Sequence, residues 1–218
     1  QNPLGASMSE AKKRDLYALL EQHQLPLIED DVYAELYFGS QPPKPVKSFD
    51  RAGLVMHCGS FSKCLAPGYR VGWVAGGRYA EQIRRLKLMT TISPSVPAQA
   101  AIAEYLQHGG YDRHLRSLRH ALESQQASML ASAARHFPAD TRVTRPAGGY
   151  FLWFEFAPQV DSLLLFKQAL AEGISLAPGP IFSATRGFGH CARLNYGHPW
   201  DAASEAAMAV LGRLLAAF

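Results

Sequence analysis

The order in which short apolar runs and amphipathic stretches alternate restricts the fold of this chain most. Ser7-x-x-Glu10 reads as a capping box opening a helix to about Gln24, with Met8, Ala11, Leu16, Leu19 and Leu20 on its apolar side. Leu25 to Glu29 follows as a buried strand ending in Asp30, and residues 40–48, with three prolines, form a loop. Leu54 to Gly59 and Val71 to Ala75 are further strands, the second closed by Gly76 and Gly77. This alternation predicts an α/β layer with polar residues gathered at strand ends.

Arg78 to Leu88 and Pro97 to Gln107 read as helices broken by Thr90 to Pro97, and the double glycine at 109 and 110 marks a boundary. Gly109-Gly110-Tyr111-Asp112-Arg113-His114 reads as a helix start. The long helix from Asp112 to about Arg135 spaces Leu115, Leu118, Leu122, Met129 and Ala133 by threes and fours, with Arg113, Arg116 and Arg119 as a solvated face. The remainder predicts strands over Arg142 to Arg145, Tyr150 to Phe156 and Cys191 to Tyr196. A helix from Ser162 to Glu172 lies between them, and a last helix from Asp201 carries Ala207, Leu211, Leu214 and Phe218 on one side. That is a smaller α+β domain without internal repeats.

Composition excludes several classes. With 218 residues, 48% hydrophobic and 18% charged, the chain can bury a sizeable core, and disorder does not describe it. No apolar run approaches the roughly 20 residues of a membrane span, so a soluble protein with no membrane partner is expected. Cys58, Cys64 and Cys191 form no C-x-x-C pair and are odd in number, which points to a reducing cytoplasm. A net charge of +4 with dispersed basic residues gives little support for nucleic-acid binding by these residues. The eight histidines show no metal spacing, and no metal is predicted. Gln1 reads as a cut boundary with a segment expected before it.

The chemistry concentrates in Ser60-Phe61-Ser62-Lys63, followed by Pro67-Gly68-Tyr69-Arg70, where a strand gives way to a loop and then another strand. A desolvated lysine there can lose its proton and attack an aldehyde, while the hydroxyls and Arg70 can bind a phosphate dianion. A lone lysine is usually a surface charge; the Ser-x-Ser frame and the arginine seven residues on set this one apart.

The segment resembles the S-x-S-K-x-x-x-P-G-x-R-x-G signature of fold-type I enzymes that use pyridoxal 5'-phosphate (PLP). The resemblance implies an internal aldimine on Lys63, with Ser60, Ser62 and Arg70 around the cofactor phosphate. Asp30-Asp31-Val32-Tyr33 is similar to the family's D-x-x-Y, implying that Asp30 pairs with the pyridine nitrogen and Tyr33 with the ring oxygen. A buried carboxylate there keeps the ring able to accept electrons. Without that match, Asp30 reads as a helix cap and Tyr33 as core. Asn2-Pro3-Leu4-Gly5 resembles the family's N-P-T-G turn, with Leu4 in place of threonine, and implies Asn2 beside the ring oxygen. Arg193 falls where the family carries the arginine that grips the substrate α-carboxylate. Pro146-x-Gly148-Gly149-Tyr150-Phe151 and Pro178-Gly179-x-x-Phe182 resemble turns on the substrate side.

The fold class implied is α/β: the C-terminal portion of the fold-type I, aspartate aminotransferase-like fold. Residues 1–109 are the end of the PLP-binding large domain, and 110–218 a small α+β domain that includes the connecting helix. The half supplying the glycine-containing phosphate turn and the stacking aromatic is not among these residues. A homodimer is implied, with Thr90 to Gln99 as a candidate partner-facing loop. Two functions fit: an effector domain sensing an amino-group ligand, or a free-standing aminotransferase working between an amino acid and a 2-oxo acid. Gly59 to Gly72, Gly110 to Arg119 and Arg193 to Trp200 resemble MocR-type regulators of the GntR family, which favours the first. DNA would then be bound only through a domain outside this chain.

Overall fold

Ser9, two residues later than the sequence suggests, caps the first helix. In the computed structural model, which describes residues 1–218, helix α1 spans Glu10–His23, and the Ser9 hydroxyl accepts from the Lys12 amide at 3.4 Å. Its buried residues are Tyr17 and Leu20, with Leu16 partly buried; Met8 and Leu19 are exposed. The inward stripe is thus set by tyrosine as much as by leucine. The Tyr17 ring packs with Val46 and Val55, and its hydroxyl accepts from the Arg51 and Ala52 amides.

This helix covers one face of a three-stranded sheet: β1 (Leu27–Asp30) runs parallel to β2 (Val55–Ser60), and β3 (Gly72–Ala75) runs antiparallel to β2. Successive side chains in a strand point to opposite faces. Leu27, Glu29, Val55 and His57 therefore share the α1 side, whereas Ile28, Asp30, Met56, Cys58 and Ser60 share the other. Ile28 is 69% exposed, so β1 alternates and is not the buried strand its apolar composition suggests. With helices α2 (Ala80–Thr91) and α3 (Val96–Gln107), these elements belong to one compact unit, Met8–Leu118.

The other unit comprises Gln1–Ser7 and Arg119–Phe218, and the helix α4 (Gly110–His136) belongs in part to each. Its sheet is antiparallel throughout, in the order β4 (Arg142–Val143), β5 (Phe151–Glu155), β7 (Cys191–Asn195), β6 (Ala177–Pro178). Four consecutive residues of β5, Phe151 to Phe154, are buried, the mark of a strand covered on both faces. Helix α5 (Ser162–Ala171) packs against β6 and against α6 (Ala202–Leu215), which buries Met208, Leu211 and Leu215. The two-residue strand β6 was too short to register as a pattern. No helix is long and apolar enough to cross a membrane.

A buried carboxylate fastens the first unit. The Asp50 side chain is fully buried, accepts from the Leu54 and Val55 amides at 3.0 Å each, and meets Lys47 Nζ at 2.8 Å. Burial pushes its pKa up, but Lys47 and the two amides outweigh that, leaving it below the ordinary aspartate value. A lowered native pKa contributes stability that is present above the unfolded value and lost as pH falls through the native one. Asp50→Ala should therefore lose about 1.5 to 3 kcal/mol at neutral pH. Urea titrations at several pH values check it: the gap to wild type should shrink only below the ordinary aspartate range.

Candidate functional site

The parallel register of β1 and β2 brings together residues far apart in sequence. Asp30 pairs with Cys58 across the two strands, so Asp30, Cys58 and Ser60 stand on the sheet face opposite α1. Beyond β2 the chain makes a tight turn in which the Leu65 and Ala66 amides both donate to the Phe61 carbonyl at 2.9 Å. Within it the Ser62 amide donates to Ser60 Oγ at 3.1 Å, and Arg70 Nη1 donates to Ser62 Oγ at 3.2 Å. Two hydroxyls and a guanidinium thus form one cluster. Arg70 holds a left-handed backbone, φ 53°, a conformation uncommon for a residue with a side chain. Such local strain is the kind retained where a side chain must be aimed. Lys63 stands beside this cluster, its Nζ 6.0 Å from the centre of the Tyr33 ring.

Asp30 and Lys63 are both exposed, which corrects the expectation of a buried carboxylate and a desolvated lysine. Asp30 lies on a sheet face that these residues leave largely open, as Ile28 shows, and Lys63 lies on the turn beyond it. The donor set nevertheless fits PLP: hydroxyls and an arginine for a phosphate, a carboxylate for a pyridinium, and an amine for an aldehyde.

Behind the strand lies a group that sequence reasoning missed. His57 Nε2 is 3.0 Å from Asp31 Oδ2, and its ring meets Trp73 edge-on, 5.1 Å between centres. Trp73 covers Gly59, where a side-chain methyl would overlap the indole. The doublet Asp30-Asp31 at the end of β1 is the available signal, since neighbouring residues of an extended chain face opposite ways. Burial raises the Cys58 thiol pKa, and the nearby Asp30 charge adds to that.

Arg193 and Asn2 form a pair in the second unit: Arg193 Nη1 donates to Asn2 Oδ1 at 2.7 Å. The guanidinium carbon lies 5.0 and 5.1 Å from the centres of the Phe151 and Phe182 rings, a cation held over two aromatic faces. Nearby on the same chain segment, the Tyr196 hydroxyl accepts from Gln126 at 3.2 Å and donates to the Gly148 carbonyl; burial pushes its pKa up to about 12, so it stays protonated.

The comparisons agree with this architecture. The chain belongs to the aminotransferase class I and II family, which it matches over residues 1–210. It is 45% identical over 215 residues to the HTH-type transcriptional regulator YdcR of Escherichia coli, covering 99% of this chain and 46% of that protein. Identity to aromatic-amino-acid aminotransferase 1 of Thermococcus litoralis is 31% over 197 residues, covering 90% of this chain and 47% of the enzyme. Among solved structures, LysN, the α-aminoadipate aminotransferase of Thermus thermophilus with bound N-(5'-phosphopyridoxyl)-L-leucine, superposes with a TM-score of 0.91 at 31% identity. That match covers 100% of this chain and 57% of LysN. The fold is therefore that of fold-type I aminotransferases. The chain spans about half the length of the curated relatives it matches.

Gly59 is the point at which this packing can be tested. Gly59→Ala should displace Trp73 and cost about 1 to 3 kcal/mol, as overpacking does. Chemical denaturation followed by tryptophan fluorescence measures both, and Trp73→Ala introduced alongside should relieve part of the loss.

Proposed function

We propose that these residues form the PLP-binding, aminotransferase-like effector part of a MocR-type, GntR-family transcriptional regulator that senses an amino acid or amine. The observation that carries PLP binding is the cluster of Ser60, Ser62 and Arg70 beside Lys63. The regulatory role is supported by relatives named as HTH-type transcriptional regulators, with YjiR of Escherichia coli a second at 38% identity over 212 residues.

When bound, PLP supplies an aldehyde and an electron-accepting ring. The chain's residues divide the work of holding it and its ligand. Arg70 and the two serine hydroxyls would offer N–H and O–H donors to the phosphate, Asp30 would accept from the pyridine nitrogen, and the Tyr33 hydroxyl would donate to the ring oxygen. Lys63 would hold the cofactor through its amine and, as a free amine, would move a proton. Arg193 takes the ligand carboxylate through parallel N–H groups, and Asn2 fixes the plane of its guanidinium. Sensing then requires only that the ligand-free and ligand-bound forms differ in their preference for two arrangements of the whole protein. A homodimer, and DNA contacts made outside these residues, complete the reading.

The gene product containing these residues, loaded with PLP, should bind its operator in a ligand-dependent way and convert amino acids to 2-oxo acids slowly or not at all. Operator binding and amino-group transfer are measured side by side over a panel of amino acids. Fast multiple turnover without DNA binding would overturn the regulator and leave a free-standing aminotransferase.

Arg193→Ala should weaken amino-acid ligands by about 2 to 5 kcal/mol while leaving PLP affinity nearly unchanged. Titration calorimetry with each ligand tests this; equal losses for both would make Arg193 a structural residue.

A further inference from the structure

The start of α4 contributes side chains to the turn that carries Lys63. His114 Nε2 lies 2.7 Å from the Cys64 carbonyl oxygen. A carbonyl only accepts, so that ring nitrogen carries a hydrogen and His114 is the donor. The Tyr111 hydroxyl sits 3.2 Å from Cys64 Sγ, and the Tyr111 ring meets Phe61 edge-on with 6.0 Å between centres. Cys64 is 2% exposed, and its thiol also reaches the Ser60 carbonyl at 3.5 Å. Tyr111 and His114 are three residues apart and therefore share a helix face, next to the buried Leu115. Phe61 and Cys64 bracket Ser62-Lys63, and both are held by one turn of α4.

Lys63 itself is exposed on a flexible four-carbon stem. The point from which that stem leaves is set by the backbone of its turn, and α4 holds that backbone at Cys64. An error of about 1 Å in placing a reacting group can cost on the order of a hundredfold in rate. A half-buried donor held against the Cys64 carbonyl is a means of preventing it. We infer that His114 and Tyr111 are positioning residues for Lys63, acting through Cys64 and Phe61 on the PLP-attachment site. The inference rests on the reading of Lys63 as the cofactor lysine.

The experiment uses the whole gene product. Wild type is loaded with PLP, reduced with borohydride and peptide-mapped; an adduct on any lysine other than Lys63 removes the underlying reading, and this inference with it. With the adduct on Lys63, PLP dissociation constants are measured for His114→Ala, His114→Gln and Tyr111→Phe. In the cofactor-free proteins, the reactivity of Lys63 toward acetic anhydride is measured relative to Lys87 on α2. His114→Ala should weaken PLP about tenfold, the scale of one lost hydrogen bond, and change the Lys63 to Lys87 labelling ratio. His114→Gln, which keeps an N–H donor, should restore most of both. Tyr111→Phe keeps the ring against Phe61 and should show a smaller loss in the same direction, which decides the matter if His114→Ala does not fold. Arg113→Ala, on the exposed side of the same turn, should match wild type. Wild-type affinity and labelling ratio in Tyr111→Phe and in folded His114→Ala, with the adduct still on Lys63, would overturn the positioning role alone.

Discussion

The parallel pairing of β1 with β2 is the constraint on which the candidate site depends. Because side chains alternate along each strand, one register sorts the residues into two sets. Leu27, Glu29, Val55 and His57 face α1; Asp30, Cys58 and Ser60 face away from it. A slip of one residue would exchange the sets, placing Asp30 against the core and Leu27 in solvent. The core therefore enforces the site. Tyr17, Val46 and Val55 close the apolar side, and Glu29 accepts from the Val46 and Lys47 amides at 2.7 and 3.0 Å, which leaves little freedom for another pairing.

The second face is as informative for what it leaves open. Ile28, Asp30 and Val74 are exposed there, and so is Lys63 at the turn beyond. The relatives are about twice as long as this chain. The second unit holds its arginine differently, with Arg193 over two aromatic rings and anchored by Asn2.

Much of the element order was legible because hydrophobic period and breaker residues are local signals. The long helix declared itself through Leu115, Leu122, Met129 and Ala133, all buried. The errors share a cause as well. Met8 and Leu19 are apolar yet exposed, and the buried stripe of α1 runs through Tyr17, whose hydroxyl accepts from the Arg51 and Ala52 amides. Leu25 to Glu29 resembled a buried strand because composition does not show that only one face has a neighbour. The Ser7 capping box gave way to Ser9, a matter of two residues that backbone geometry decides.

By itself, the sequence determined the succession of strands and helices and the chemical kinds of group at the turn after β2: two hydroxyls, an amine and a guanidinium within eleven residues. These follow from side-chain identity and short-range spacing. Only the tertiary structure decided that Asp31 and His57 form a pair behind the strand, that Trp73 lies over Gly59, and that His114, fifty residues from Cys64, donates to its carbonyl. Contacts of that separation depend on where the chain returns, and no local period encodes it. The first residues of α4 looked like an ordinary helix start because the partner that gives them a role is brought near only by folding.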